Sequence, residues 1–190
     1  FSLGGTSLSC VFAQEDQQLD QLDFNAYLRV KEDGRVDCFT GKIEMGQGII
    51  TSLAQVVAEE LEVSIYDVDM IMGDTELCPY DAGTWGSRTT RFTDPVLRAA
   101  AAEAREVLLD LAAEHFGSNK TSLQVKDGVV SLKNDATKNI AYSELTQGKK
   151  IVRSLTEKPE IKKAEDFKLI GKPVRSLDAE AKVTGKAKYA

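Results

Sequence analysis

Two apolar periods run along this chain. From Ile50 onward, Leu53, Ala54, Val57, Ala58 and Leu61 recur at helical spacing while Gln55, Glu59 and Glu62 lie off the stripe, which predicts an amphipathic helix from about Gly48 to Val63. A second stripe of Leu97, Ala100, Ala101, Ala104, Leu108 and Leu111 predicts a longer helix ending near Phe116-Gly117. Asp94-Pro95 opens it, because Asp caps free N–H groups and Pro suits the first turn, and Gly117 permits the left-handed stop. His115 falls in its last turn, where a cation complements the helix dipole, so a structural role is expected for it.

The shorter period marks strands. Residues 26–30 and 35–40 flank Glu32-Asp33-Gly34 and read as a β-hairpin, since Asp-Gly supplies the positive φ a tight turn needs. Leu123–Lys126 and Val129–Leu132 around Asp127-Gly128 repeat that signal, and Tyr66–Met72 alternates partly, as a strand does. Tyr142–Gln147 reads as a short helix or turn. Without a regular alternation of strand and helix, the expected class is α+β: a mixed sheet packed against two amphipathic helices, with extended arms at both ends. The expected organisation is an arm over 1–23, a domain over 24–148, and a linker over 149–190.

Composition narrows the function. A net charge of −6 over 190 residues, with no Lys/Arg cluster, argues against a nucleic-acid partner. Cys10, Cys38 and Cys78 are too far apart for a zinc-ribbon pattern and His115 is the only histidine, so no metal held by side chains is expected. No run is long enough to span a bilayer. The start at Phe1 suggests a longer precursor, and Val11-Phe12-Ala13 has the small-residue spacing of a signal-peptidase site. Export to the periplasm is the expectation, with an ordinary N-terminal arm in the cytoplasm as the alternative.

The candidate chemistry lies between strand and helix. Thr40-Gly-Lys-Ile-Glu-Met-Gly-Gln-Gly48 leaves a strand and enters a helix, a place where backbone N–H groups and the helix dipole are expected to face an anion. A P-loop is excluded, because Gln47 and Gly48 stand where Lys and a hydroxyl residue must be. A dinucleotide loop is disfavoured by Thr51 at the third glycine position and by the expected lack of a surrounding βαβ unit. The long stretch from Gly73 to Thr93 is of the kind that usually carries function.

Glu44-Met45-Gly46-Gln47-Gly48, followed by an amphipathic helix, resembles the EMGQG segment of the xanthine dehydrogenase and aldehyde oxidase family of molybdenum hydroxylases. Ala82-Gly-Thr-Trp-Gly-Ser-Arg-Thr-Thr-Arg91 is similar to that family's Gly/Ser/Thr-rich segment, and Phe167–Ala190 to the lead-in to its α/β hammerhead domain. The order of these segments is that of the isoquinoline 1-oxidoreductase β-subunit type. The resemblance implies part of a large subunit that binds molybdopterin, in its plain or cytosine dinucleotide form, for oxidative hydroxylation of an aldehyde or an electron-poor N-heterocycle. Iron–sulfur clusters on a separate small subunit would carry electrons away. Gln47 would hydrogen-bond near the molybdenum end of the pterin, with Met45, Gly46 and Gly48 as the surrounding wall. Gly86, Ser87, Arg88, Thr89 and Thr90 would hold the phosphate or dinucleotide portion. No residue here matches the family's general base, so no catalytic residue is assigned. Glu44 is expected to orient the loop. Arg88 and Arg91 read equally as phosphate ligands or solvated charges, and Trp85 as core or interface, with packing over the cofactor as the alternative. The alternative function is an assembly module of the same large subunit that does not contact cofactor.

Overall fold

The computed structural model describes residues 27–148 and 159–188. The arm over 1–23, on which the expected cleavage site falls, and the first part of the linker lie outside these residues. Three strands, β1 (Leu28–Val30), β2 (Val36–Thr40) and β3 (Val68–Met72), form one sheet in the order β1-β2-β3. The β1-β2 hairpin is antiparallel, with Val30 opposite Val36, and β2 and β3 run parallel in a register that sets Thr40 beside Met72. Parallel neighbours need a crossover, and helix α1 (Ile49–Leu61) supplies it. The expectation that no βαβ unit surrounds the glycine loop is therefore corrected: β2-α1-β3 is one. The unit was hidden because β2 is buried at all five positions, including Asp37, so it lacks the alternation that betrays a half-exposed strand.

Helix α2 (Asp94–Phe116) packs on α1 through Leu97, Ala100, Ala101, Ala104 and Leu108, the stripe expected from the sequence. Its start differs from the expectation. Asp94 lies inside the helix rather than capping it, because a wide π-type turn over Thr89–Thr93 runs directly into the helical backbone. Asp94 Oδ1 is buried without a hydrogen-bond partner. Burial pushes its carboxyl up to about 6 against the opposing pull of Arg98. The far end follows the sequence: Gly117 is left-handed at φ 61°, and His115 lies in the last turn, edge-on to Phe116.

A second, antiparallel sheet holds β4 (Leu123–Lys126), β5 (Val129–Leu132) and β6 (Asp135–Ala141), followed by the short helix α3 (Tyr142–Thr146). It closes the C-terminal end of α1. Gly128 N donates to Glu62 O (3.0 Å) and Tyr142 Oη to Leu61 O (3.1 Å), and Gly128 O accepts from Tyr142 N (2.9 Å). The architecture is α+β, with one mixed and one antiparallel sheet around two long helices.

The segment after 159 lies along α1 rather than standing free. Leu169, Ile170, Val174 and Leu177 pack against the core, and a short helix, α4 (Ala179–Val183), follows. Two adjacent glutamates of α1, 1% and 0% exposed, hold this strap. Glu59 Oε2 accepts from the backbone N–H groups of Lys168 (2.8 Å), Leu169 (2.6 Å) and Ile170 (3.2 Å), and Lys162 Nζ donates to Glu59 Oε1 (3.2 Å). Glu60 accepts from Arg98 Nε (2.8 Å) and from Lys162 N (3.2 Å), with Arg105 3.6 Å away. Gln55 Nε2 donates to Leu169 O (2.9 Å), and Leu177 N donates to Thr51 Oγ1 (3.0 Å).

Candidate functional site

The site is built where β2 and β3 end side by side. Gly73 N donates to Thr40 O (2.9 Å), so the parallel pair stays closed to its last residues and releases two loops at one edge. Gly41 lets them touch: a Cβ there would sit 2.3 Å from Asp81 Cβ and 2.9 Å from Pro79 O, closer than atoms can pack. The loops are then pinned. Lys42 Nζ donates to Asp81 Oδ1 and to Gly83 O, both at 2.9 Å, and Ile43 N donates to Thr84 Oγ1 (2.9 Å). Asp81 Oδ1 also accepts from Gly83 N (2.8 Å), which shapes the second loop around the first.

Beyond these pins the first loop turns outward. Gly46 and Gly48 are left-handed, at φ 95° and 83°, and a side chain at either would meet open space. Glycine is used here for backbone conformation, as the close approach of a ligand also requires. Met45 is 62% exposed, and Gln47 is exposed beside it. Gln47 folds onto its own loop, with Oε1 accepting from Met45 N (2.5 Å) and Nε2 donating to Ile43 O (3.0 Å).

The helix start is not open to an anion, which corrects the expectation for this turn. Glu44 Oε1 accepts from Gly46 N (2.7 Å) and Gly48 N (3.0 Å), and Oε2 accepts from Ile50 N (2.9 Å). The chain supplies its own anion. Burial alone would raise the Glu44 carboxyl, but these three N–H groups hold it below the usual carboxylate value.

In the second loop, Gly86 and Ser87 are both left-handed, at φ 63° and 54°, and both are exposed, as is Thr90. Thr89 is buried. The Arg88 guanidinium lies between the rings of Trp85 (4.7 Å) and Phe92 (4.5 Å), and Arg91 lies over Phe92 at 5.3 Å. Trp85 remains 58% exposed, so its ring is a platform for Arg88 rather than part of the core. Of the residues singled out in the sequence, the structure presents Met45, Gly46, Gln47, Gly86, Ser87 and Thr90 at the surface, while Gly48 is half-buried, Thr89 is inside and Arg88 is stacked. The link between the two loops runs through Lys42, Asp81 and Thr84, which sequence reasoning passed over. The one lysine within the glycine loop, facing an Asp-Ala-Gly-Thr run across a strand pair, was the available signal.

Among the described residues no group of three His, Cys, Asp or Glu side chains is placed to hold a metal. No helix among them is long and apolar enough to cross a membrane.

Comparison with known proteins gives this edge its family. Residues 3–188 match the molybdopterin cofactor-binding domain. The chain is 38% identical over 163 residues to a subunit of the nicotinate dehydrogenase of Pseudomonas putida, covering 86% of this chain and 14% of that protein. It is 34% identical over 140 residues to the β-subunit of isoquinoline 1-oxidoreductase from Brevundimonas diminuta, covering 68% and 17%. Among solved structures, CO dehydrogenase from Oligotropha carboxidovorans superimposes with a TM-score of 0.56 at 28% identity, over 63% of this chain and 15% of that one. Quinoline 2-oxidoreductase from Pseudomonas putida 86 gives 0.53 at 28%, over 62% and 15%. The chain thus spans roughly a seventh of the length of the proteins it matches. With the EMGQG loop, the Gly/Ser/Thr-rich loop and the strand pair that joins them all in place, it belongs to the molybdopterin cofactor-binding domain family of the molybdenum hydroxylase large subunits.

Proposed function

We propose that this chain forms one wall of a molybdopterin cleft, with Met45, Gly46, Gln47 and Gly48 toward the pterin and Gly86, Ser87, Arg88, Thr89 and Thr90 toward its phosphate or cytosine dinucleotide end. The observation that carries this reading is the pinning of the two motif loops to each other at one sheet edge, by Lys42 with Asp81 and Gly83 and by Ile43 with Thr84. The residues fit such a group: the space over Gly46 and Gly48 is open, and the amide of Gln47 is a neutral donor. With the Glu44 carboxylate already on the helix start, the phosphate end falls to the second loop, where Ser87 and Thr90 offer exposed hydroxyls. Thr89, being buried, would contribute through its backbone.

When bound, the cofactor supplies the oxidative hydroxylation chemistry; this chain binds and orients it. The substrate class is an N-heterocyclic aromatic or an aldehyde, and two of the relatives are named for N-heterocycles, nicotinate and isoquinoline. A separate iron–sulfur subunit and the remainder of a large subunit would be its partners, in the periplasm. An assembly role without cofactor contact is the second reading, favoured by the burial of Thr89 and the stacking of Arg88. Acid release of pterin and cytidine monophosphate from the full-length enzyme separates the two. Replacing Ser87 and Thr90 together with Ala is expected to lower both while circular dichroism stays unchanged, and full retention of both would leave the assembly role.

A further inference from the structure

The segment from Ile43 to Ile50 is a closed hydrogen-bonded unit built on two side chains. Glu44 gathers three backbone N–H groups, at Gly46, Gly48 and Ile50, across the two left-handed glycines. Gln47 closes the other side through Met45 N and Ile43 O. These partners decide which end of the amide is which. Exchanging its nitrogen and oxygen would set an NH2 group against the Met45 N–H and an oxygen against the Ile43 carbonyl. The Gln47 oxygen is therefore committed to Met45, and Nε2 keeps one hydrogen beyond the one given to Ile43.

Resting on the reading that this loop lines the cofactor site, we propose that Glu44 is a positioning residue that fixes Gln47 as a donor: the part of a bound group that meets Nε2 must be a hydrogen-bond acceptor. The geometry gives Glu44 this role without contact to the ligand. Its carboxylate bridges the turn before Gln47 and the first turn of α1 after it, so the backbone on both sides of position 47 is held by one group. Without that carboxylate, Gly46 and Gly48 keep their conformational freedom and lose what selects one arrangement. Gln47 would then be free to turn its oxygen outward.

The test uses the full-length enzyme purified with its partner subunits, in the variants Glu44→Ala, Glu44→Gln, Gln47→Ala and Gln47→Glu. Molybdenum per protein, the Mo(V) electron paramagnetic resonance spectrum and thermal stability are read for each. Glu44→Ala is expected to lower molybdenum occupancy by about tenfold, the size of loss typical when a group orienting a metal-site ligand is removed, and to alter the Mo(V) spectrum. Glu44→Gln keeps one oxygen for Gly46 and Gly48 but sets an NH2 group against Ile50 N–H, so it should fall between Glu44→Ala and the parent; it decides the matter if the alanine variant fails to fold. Gln47→Glu should lose at least as much molybdenum as Gln47→Ala, because it offers acceptors where a donor is needed. If Gln47→Ala loses molybdenum while both Glu44 variants keep parental occupancy and spectrum, the positioning role is overturned and the cofactor-wall reading stands. Parental occupancy in Gln47→Glu alone overturns the donor assignment. Should every variant keep full occupancy and spectrum, the loop is not the cofactor wall and both ideas fall together.

Discussion

Helix α1 carries a carboxylate-bound segment at each end, and the two are built to different specifications. At the N-terminal end Glu44 holds a short local loop, residues 46 to 50, in a half-exposed setting. At the C-terminal end Glu59 and Glu60 lie fully inside and hold a strap from more than 100 residues away. The first arrangement orders a surface whose backbone is open; the second anchors a segment whose own residues join the core. A carboxylate on backbone N–H groups therefore does not signal one function: burial and the sequence distance to its partners decide whether it shapes a site or secures the architecture.

The sharpest way to break this contrast is at Glu60. Removing this buried carboxylate takes from Arg98 and Arg105 their shortest ion-pair partner, and breaking a buried pair typically costs about 3–5 kcal/mol. Glu60→Ala should therefore lower the unfolding free energy by that order, move the denaturant midpoint down with it, and release the strap. If the midpoint hardly moves, the buried cluster is not what fastens residues 159–178.

Glu59 sharpens the same contrast through pH. Burial alone would raise its carboxyl, but the N–H groups of Leu169 and Ile170 together with Lys162 hold it below the ordinary value of 4.5. A group whose folded value is depressed contributes stability that is present above the unfolded value and lost as pH falls through the folded one. Acidification below about pH 4.5 should thus loosen the strap, seen as faster amide exchange at Lys168 to Ile170, and Glu59→Gln should show that loosening already at neutral pH, with a cost of about 1–3 kcal/mol. Protection of those amides unchanged in the variant would contradict it.

How much of this was legible beforehand follows from the same residues. The helical stripes announced α1 and α2 because their apolar positions are local and periodic. The EMGQG and Gly/Ser/Thr segments were legible because glycine at those positions is demanded by backbone shape, which sequence records directly. Glu59 and Glu62 read as off-stripe polar positions, but Glu59 is buried, because the group that satisfies it comes from residues 162–170 and no local pattern can announce it. Strand β6 was missed for a different reason: in Asp135–Ala141 only Ile140 is buried, so no alternation marks it. At the site, the pin from Lys42 to Asp81 is a pairing across 39 residues, visible only once β2 and β3 lie parallel.

The smallest expected effect compares the two helix starts. Glu44 binds N–H groups at the start of α1, whereas Asp94 at the start of α2 has a buried oxygen without a partner and a carboxyl pushed up to about 6. A raised folded value means that protonation favours the folded state, so this group's contribution is lost as pH rises from its unfolded value toward about 6. Asp94→Asn should flatten the stability profile over that interval and modestly stabilise the protein at pH 7, as measured by thermal melts across pH. A profile parallel to the parent's would show that the buried oxygen finds a donor in solution.

The Asp127-Gly128 turn has a meaning beyond its hairpin. Both residues are left-handed, as a two-residue connection between β4 and β5 requires, and the same Gly128 N–H closes the end of α1 at Glu62 while its carbonyl starts the chain into α3 through Tyr142. Three elements therefore read their position from one residue, and the length of the turn is set from outside the hairpin as well as from within. In engineering terms, an insertion or deletion in this surface turn is expected to disturb the end of α1 and the start of α3 as well as the hairpin.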